Sequence, residues 1–294
     1  MEFNEFVETV RDLVVEYLLQ YDIDKVCVEE VTKNNGISLT GLIIVEKGKN
    51  VHPNIYLNNY YSMYTNGTPV EEILRMIADD YKKSINNISN SKIDEIKEEN
   101  ILGNIFIKVV NYKKNKDILK NCPHIVFHDL AISFRYLVKM DKAGIASAQL
   151  RNEEMSRLNM TVEELYPIAK ENTKRLFPPV LTRLDELLEE KYDENIGCLG
   201  DNNLYILTNN QGINGASYII YEDIINNFAI EHDTDFFILP SSIHEILLLP
   251  VEDSMDKEEL VEMVKEVNNY VVSELDYLSD NVYFYDRKIG KIIE

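Results

Sequence analysis

Apolar side chains at Phe3, Phe6, Val7, Val10, Leu13, Val14, Tyr17 and Leu18 follow the i, i+3, i+4, i+7 spacing of a helix with one buried face. They predict an amphipathic helix over residues 1–19. The period then changes to alternation. Lys25–Val31 and Ile37–Val45 read as strands, joined at Lys33-Asn34-Asn35-Gly36 by an Asn-Gly hairpin signal. A third extended run, Asn54–Tyr60, follows His52-Pro53. Thr68, Pro69 and Glu71 mark a helix start, with a capping residue, a proline at the first helical position and a capping-box acid. Residues 84–100 are polar and weakly periodic, and predict a loose helix or loop within a domain, not a boundary.

Ile105–Tyr112 returns to strand character, and Val126–Val138 alternates over what reads as one long strand. Asp141-Lys142-Ala143-Gly144 turns the chain into Ile145–Leu150, a second hairpin. Thr161 and Glu164 form another capping box, with Met160 and Leu165 placed as its hydrophobic staple. That helix ends before Pro178-Pro179, and a further helix is predicted over Thr182–Tyr192. The Gly, Asn and Asp cluster at 193–203 reads as the domain boundary. Beyond it the pattern predicts strands at Leu204–Thr208 and Ala216–Tyr221, then a helix at Glu222–Glu231. Strands follow at Phe236–Leu239 and Ile246–Leu249, then a helix at Lys257–Val272 and a closing strand at Val282–Tyr285. The predicted fold is α+β, with antiparallel sheets and helices packed on one face, in two sub-domains: residues 1–192 and an acidic C-terminal domain, residues 204–294.

Composition adds a bound and an asymmetry. With 294 residues and 45% apolar content the chain can build a substantial core. The first residues carry acids where a signal peptide would be basic. No run of about 18 apolar residues suggests a membrane span. The three cysteines, Cys27, Cys122 and Cys198, show no paired spacing, so free thiols and a reducing, cytoplasmic setting are expected. Residues 185–294 hold 25 acids and 6 bases, a net of −19, whereas the preceding 184 residues are near balance at −2. Such a field disfavours nucleic acid and anionic membrane as direct ligands of that third. It favours a protein partner with a basic surface, or simply solubility. Oligomeric state is left open.

The most chemically loaded segment is Leu239-Pro240-Ser241-Ser242-Ile243-His244-Glu245. A hydroxyl activated by an imidazole that a carboxylate orients is the logic of acyl transfer, which makes Ser242, His244 and Glu245 the candidate catalytic residues. The simpler reading is a turn in which Ser241 and Ser242 satisfy loop backbone groups. Binding candidates are Ser241, Ser242 and His244, with Glu258, Glu259 and Glu262 from the following helix. His124 and His128 lie four apart in what reads as a strand, about 13 Å in extent, too far to share an ion, so no metal is expected. Gly212 and Gly215 have the spacing of an RNA-clamping loop but lie in acidic sequence and read as a hairpin turn with glycine supplying positive φ. Tyr56, Tyr60, Tyr61 and Tyr64 lack interleaved bases and read as a half-buried aromatic patch. No phosphate-binding loop or dinucleotide fingerprint is present, and no cofactor is expected.

Several stretches carry a resemblance: Asn54–Asn58, Asp129–Ala131, Thr161–Leu165, Tyr205–Asn209, Ile238–Glu245 with Leu249-Pro250, and Leu278–Asp280 with Tyr283 and Tyr285–Arg287. In these the chain resembles, over nearly its whole length, a Firmicute and mostly clostridial family known only as a domain of unknown function. The resemblance implies an accessory protein, often near mobile elements, and so an interaction or regulatory role. Residues and resemblance together lead to the expectation of a non-catalytic, acidic, intracellular binding protein that docks a basic partner and competes with nucleic acid for it. A small hydrolase centred on Ser241–Glu245 is the alternative.

Overall fold

The structure is a computed structural model that describes residues 1–49, 52–89, 98–141, 144–187, 203–251 and 256–293. The chain falls into two compact units, residues 1–95 and residues 96–294 apart from 141–143.

In the first unit, α1 (Phe3–Leu13) tightens into a 3-10 turn at Val14–Tyr17. The strands β1 (Ile23–Thr32), β2 (Ser38–Glu46) and β3 (Asn54–Tyr56) form a three-stranded antiparallel sheet in sequence order. The β1–β2 turn places Asn35 and Gly36 at positive φ, as the Asn-Gly signal requires. Extended structure stops at Tyr56, however, and Leu57–Thr65 winds as α2. Strand propensity over Asn54–Tyr60 yields here because the helix buries Leu57 and Tyr60 one turn apart. The long helix α3 (Val70–Ser89) completes the unit. Its Ile73, Leu74 and Ile77 pack with Phe6 and Val10 of α1 and with Leu42 and Ile44 of β2, so helices cover one face of this sheet, as expected.

The second unit opens with α4 (Glu98–Asn104), β4 (Ile105–Asn111), α5 (Lys116–Leu119), β5 (His124–Phe127), β6 (Leu130–Asp141) and β7 (Gly144–Gln149). These strands make a four-stranded sheet in which β6 pairs with β4, β5 and β7. The long strand read at Val126–Val138 is in fact two, hinged at His128-Asp129, with Phe127 opposite Leu130 and His128 at φ 54. The alternation carries through a two-residue turn, which is why the pattern conceals it. Helices α6 (Asn152–Leu158) and α7 (Val162–Leu176) follow. The Thr161–Glu164 capping box closes in both directions at the start of α7.

A six-stranded antiparallel sheet then forms from β8 (Pro179–Arg183), β9 (Tyr205–Asn209), β10 (Phe236–Leu239), β11 (Ile246–Pro250), β12 (Tyr283–Asp286) and β13 (Lys291–Ile293). Its order is β13-β12-β10-β11-β9-β8. Helices α8 (Glu222–His232) and α9 (Lys257–Tyr270) pack on it. Three expectations change here. The helix read at Thr182–Tyr192 starts two residues later than expected: the chain is strand through Arg183, residues 184–187 are helical, and residues 188–202 lie outside the described residues. Ala216–Tyr221 is a 3-10 helix (Gly215–Ile220) buried on all sides; a continuous apolar run does not distinguish a buried strand from a buried turn of helix. The boundary read at 193–203 joins neighbours of one sheet, since Val180 pairs with Thr208 and Leu181 with Leu207. The compact units divide instead at 95 and 96, inside the polar stretch 84–100 and not after it.

One core unites the two sheets of this unit: Ile107, Val109 and Phe134 from the smaller sheet meet Phe236, Ile238 and Leu248 from the larger. Every residue of β10 is buried. Phe236 and Ile238 face that shared core with Phe228 of α8, whereas Phe237 and Leu239 face Leu260 and Val264 of α9. Helices therefore lie on both faces of the larger sheet, not on one. A strand apolar at every position needs cover on each side.

Candidate functional site

Pro240 ends β10, because it has no N–H to give a ladder, and the loop Pro240–Glu245 turns the chain into β11. The backbone of this loop is held from three directions. Ser279 N–H and Leu278 N–H donate to the carbonyls of Pro240 (3.0 Å) and Ser241 (2.9 Å), and Ile243 N–H donates to Asp276 O at 2.8 Å. Ala216 N–H donates to Ile243 O at 3.2 Å. Thr208 Oγ1 donates to His244 O at 2.8 Å. Gly215 is required by this approach: a Cβ there would stand 2.4 Å from His244 O and 2.4 Å from Thr208 Oγ1. Positive φ belongs to Gly212 and Asn214 in that turn, so Gly215 serves contact, not the conformational role read for it.

The loop's reactive-looking groups are committed to the same purpose. Ser242, buried, accepts the His244 N–H on Oγ at 3.0 Å. The His244 ring lies between Asn214, whose N–H points at Nδ1 (3.4 Å), and Asp276, whose Oδ1 is 3.1 Å from Nε2. With Nδ1 accepting, the neutral ring carries its proton on Nε2 and donates it to Asp276. Ser273 Oγ steadies the other Asp276 oxygen at 2.7 Å. The imidazole thus pairs with Asp276, 32 residues on, and the Ser242 hydroxyl faces a backbone N–H. Glu245 is half-buried and contributes nothing to the ring's orientation. No local sequence signal points to Asp276 as the partner, because the contact is made by the fold.

On the α9 side of the sheet lies a groove of about 440 Å³. Leu204, Leu239, Leu247 and Leu249 form its floor, Met263 and Val267 of α9 its wall, and Ser241, Asp256 and Glu259 its polar edge. Two of the predicted binding residues, Ser241 and Glu259, therefore come together here, while Ser242 and His244 are tied to the 214–216 and 276 segments. Asp256 caps α9 by accepting the Glu258 N–H at 2.9 Å, and Glu262 pairs with Lys265 at 2.8 Å. Glu258 and Glu262 are exposed on the same helix but do not line the groove. The apolar stripe read for this helix contained the signal: it is too wide for its core. Leu260 and Val264 are buried, but Met263, Val267, Tyr270 and Val271 remain 54%, 41%, 84% and 76% exposed.

The remaining candidates have structural places. His124 Nδ1 lies 2.9 Å from Cys122 O, and His128 occupies the β5–β6 turn with its ring 5.2 Å from that of Tyr283. Asp129 accepts from Ser279 Oγ (2.7 Å) and from the Tyr283 hydroxyl, tying that turn to the last strands. Among the described residues no group of three or more His, Cys, Asp or Glu could hold a metal ion, and no helix is long and apolar enough to cross a membrane. Tyr61 and Tyr64 pack on Phe3 and Phe6, and the Tyr60 hydroxyl donates to Asp80 at 2.5 Å. Cys27 and Cys122 are free thiols, and Cys198 lies outside the described residues.

Residues 3–287 match the model of a family of unknown function (DUF5688), and the chain belongs to that family. No curated protein and no solved structure matches it.

Proposed function

We propose that this member of DUF5688 is a non-catalytic binding protein whose acidic C-terminal third docks a basic surface of a protein partner and competes with nucleic acid for that surface. The observation that carries the reading is the charge division, −19 over residues 185–294 against −2 over the rest. The geometry of the loop at 240–245 supports it from the other side. Acyl transfer needs a hydroxyl that gives its proton to an imidazole nitrogen. Here both ring nitrogens of His244 face other partners, and the Ser242 hydroxyl holds a backbone N–H.

Affinity capture from the host, followed by titration of the identified partner in rising salt, tests the reading. Association steered by charge should weaken through the physiological range and should fall again when Glu258, Glu259 and Glu262 are all changed to Gln. Affinity unmoved by both would reject it. The hydrolase alternative is tested on the purified protein with simple ester and amide substrates. Turnover that vanishes in Ser242→Ala while the fold is kept would establish it. The expected result is no turnover, with Ser242→Ala and His244→Ala each lowering stability by about 1 kcal/mol through lost hydrogen bonds.

A further inference from the structure

We propose that the groove between α9 and the six-stranded sheet is where this partner anchors, and that the anchor is a Lys/Arg-rich segment carrying aliphatic or aromatic side chains. The inference rests on the reading of an acidic docking protein and adds to it a site and a recognition chemistry. At about 440 Å³ the groove has the size of pockets that enclose small organic groups, roughly 300–1,000 Å³. Its floor is leucine, and Leu247 and Leu249 are only partly covered although they sit in the middle of a sheet. Its helical wall continues past the groove as exposed Tyr270 and Val271, so the apolar surface extends along α9 beyond a single side chain. Met263, the most exposed apolar groove residue on the helix, is an adaptable thioether suited to meeting a partner's side chain.

Charge selects the occupant. Glu259 stands at the groove edge with no ion-pair partner among the described residues, and α9 carries four glutamates against two lysines. A second copy of this chain docked face to face would set those glutamates against themselves, since a two-fold interface repeats each residue opposite its own neighbourhood. An anionic bilayer or a nucleic acid meets the same repulsion. A segment with apolar anchors and flanking cations satisfies both features at once, in the manner of an amphipathic helix laid in a groove.

The test uses the full chain and a fluorescent synthetic amphipathic peptide of Leu and Lys, read by anisotropy at low and physiological salt. Counterparts with Ser for Leu and with Glu for Lys serve as probes of each contribution. Wild type should bind the Leu–Lys peptide and neither counterpart. Replacing the exposed groove residues together, Met263→Gln with Val267→Gln, should weaken binding by about tenfold or more. Glu259→Gln should weaken it by a smaller factor, about threefold, and flatten its salt dependence. Glu231→Gln removes the same charge from α8, on the opposite face of the sheet, and should change nothing. Salt-sensitive binding that is equal in wild type and in the Met263/Val267 variant would overturn the groove while leaving charge-driven docking in place. Failure of wild type to bind any cationic probe would overturn both. A dimer of wild type in sedimentation equilibrium, lost in the same variant, would assign the groove to a second copy and overturn the basic-segment proposal. Should that variant misfold by circular dichroism, a benzophenone-bearing Leu–Lys peptide crosslinked to wild type decides the matter. Label on 247–249 and 256–270 is expected, and label confined to other segments rejects the site.

Discussion

Gly215 shows how a single residue is determined by its neighbours. Its missing side chain lets the Thr208 hydroxyl and the His244 carbonyl meet at 2.8 Å, across the space a Cβ would fill. Gly215→Ala must push its own segment away from the two backbone segments that meet against it, and overpacking of this kind costs about 1–3 kcal/mol. Urea denaturation should show that loss. Tyr60 illustrates a different determinant. Its hydroxyl, donating to Asp80, holds that carboxyl below the usual carboxylate range, with Lys83 adding to the effect. A carboxyl depressed in the folded state stabilises above its unfolded pKa, and the contribution is lost as pH falls through the folded one. Tyr60→Phe should therefore destabilise the protein at neutral pH by about 1–2 kcal/mol, below the roughly 1.5–3 kcal/mol typical of a hydrogen bond to a charged group because solvent screens the half-exposed Asp80 carboxylate. The difference from wild type should shrink in acid, and melts at neutral and acid pH will show whether it does.

At the scale of elements, β4 poses the problem of an exposed strand edge, and α7 and the 3-10 helix answer it. Among the described residues β4 pairs only with β6. On its other side Thr173 Oγ1 of α7 accepts the Ile107 N–H at 2.9 Å, and Ser217 Oγ donates to the Ile107 carbonyl at 3.1 Å. Asn172 Nδ2 adds a bond to Ile105 O at 3.0 Å. Side chains of helices thus stand in for a missing strand and close the edge to further pairing. Thr173→Val keeps shape but leaves a fully buried N–H without its acceptor, and should cost about 1–3 kcal/mol. A shifted urea midpoint with an unchanged slope would be the sign of it. The helix α9 makes the complementary case. Two of its six apolar stripe residues suffice for the core, and the rest remain available for a partner.

For the molecule as a whole, the governing property is a formal charge of −21. Like charges at this density repel one another in the folded chain more closely than in the unfolded one. Added sodium chloride should screen that repulsion, so the thermal midpoint should rise between low and physiological salt. A midpoint that falls or stays constant would mean that local pairs, such as Lys174 with Asp223 and Arg287 with Asp233, outweigh the net repulsion. The same salt that stabilises the protein should weaken its docking, and the opposite signs separate the two effects in one set of buffers.

Local pattern sufficed for the α+β class, for the antiparallel hairpins and for helices such as α7, whose capping box is complete within four residues. It sufficed too for the charge division, which no folding event alters. It failed where the decision is made across the chain. Leu57–Thr65 is a helix because of what Tyr60 buries against, and the 215–220 run is apolar throughout because all of its sides are covered, which leaves its pattern the same for a strand and for the 3-10 helix it forms. The Gly, Asn and Asp composition at 193–203 reads as a linker, because composition does not say whether the flanking segments meet; only the pairing of β8 with β9 does. The candidate loop follows the same division. Its residues were legible from Ser241, Ser242 and His244, but their roles were not, since Asp276 and Asn214 reach the imidazole from 32 and 30 positions away. The groove was legible only as an apolar stripe on α9 wider than a core needs. Its floor of leucines, its size and its acidic edge exist only once β9, β10 and β11 lie side by side beneath that helix, because burial is a property of neighbours in space.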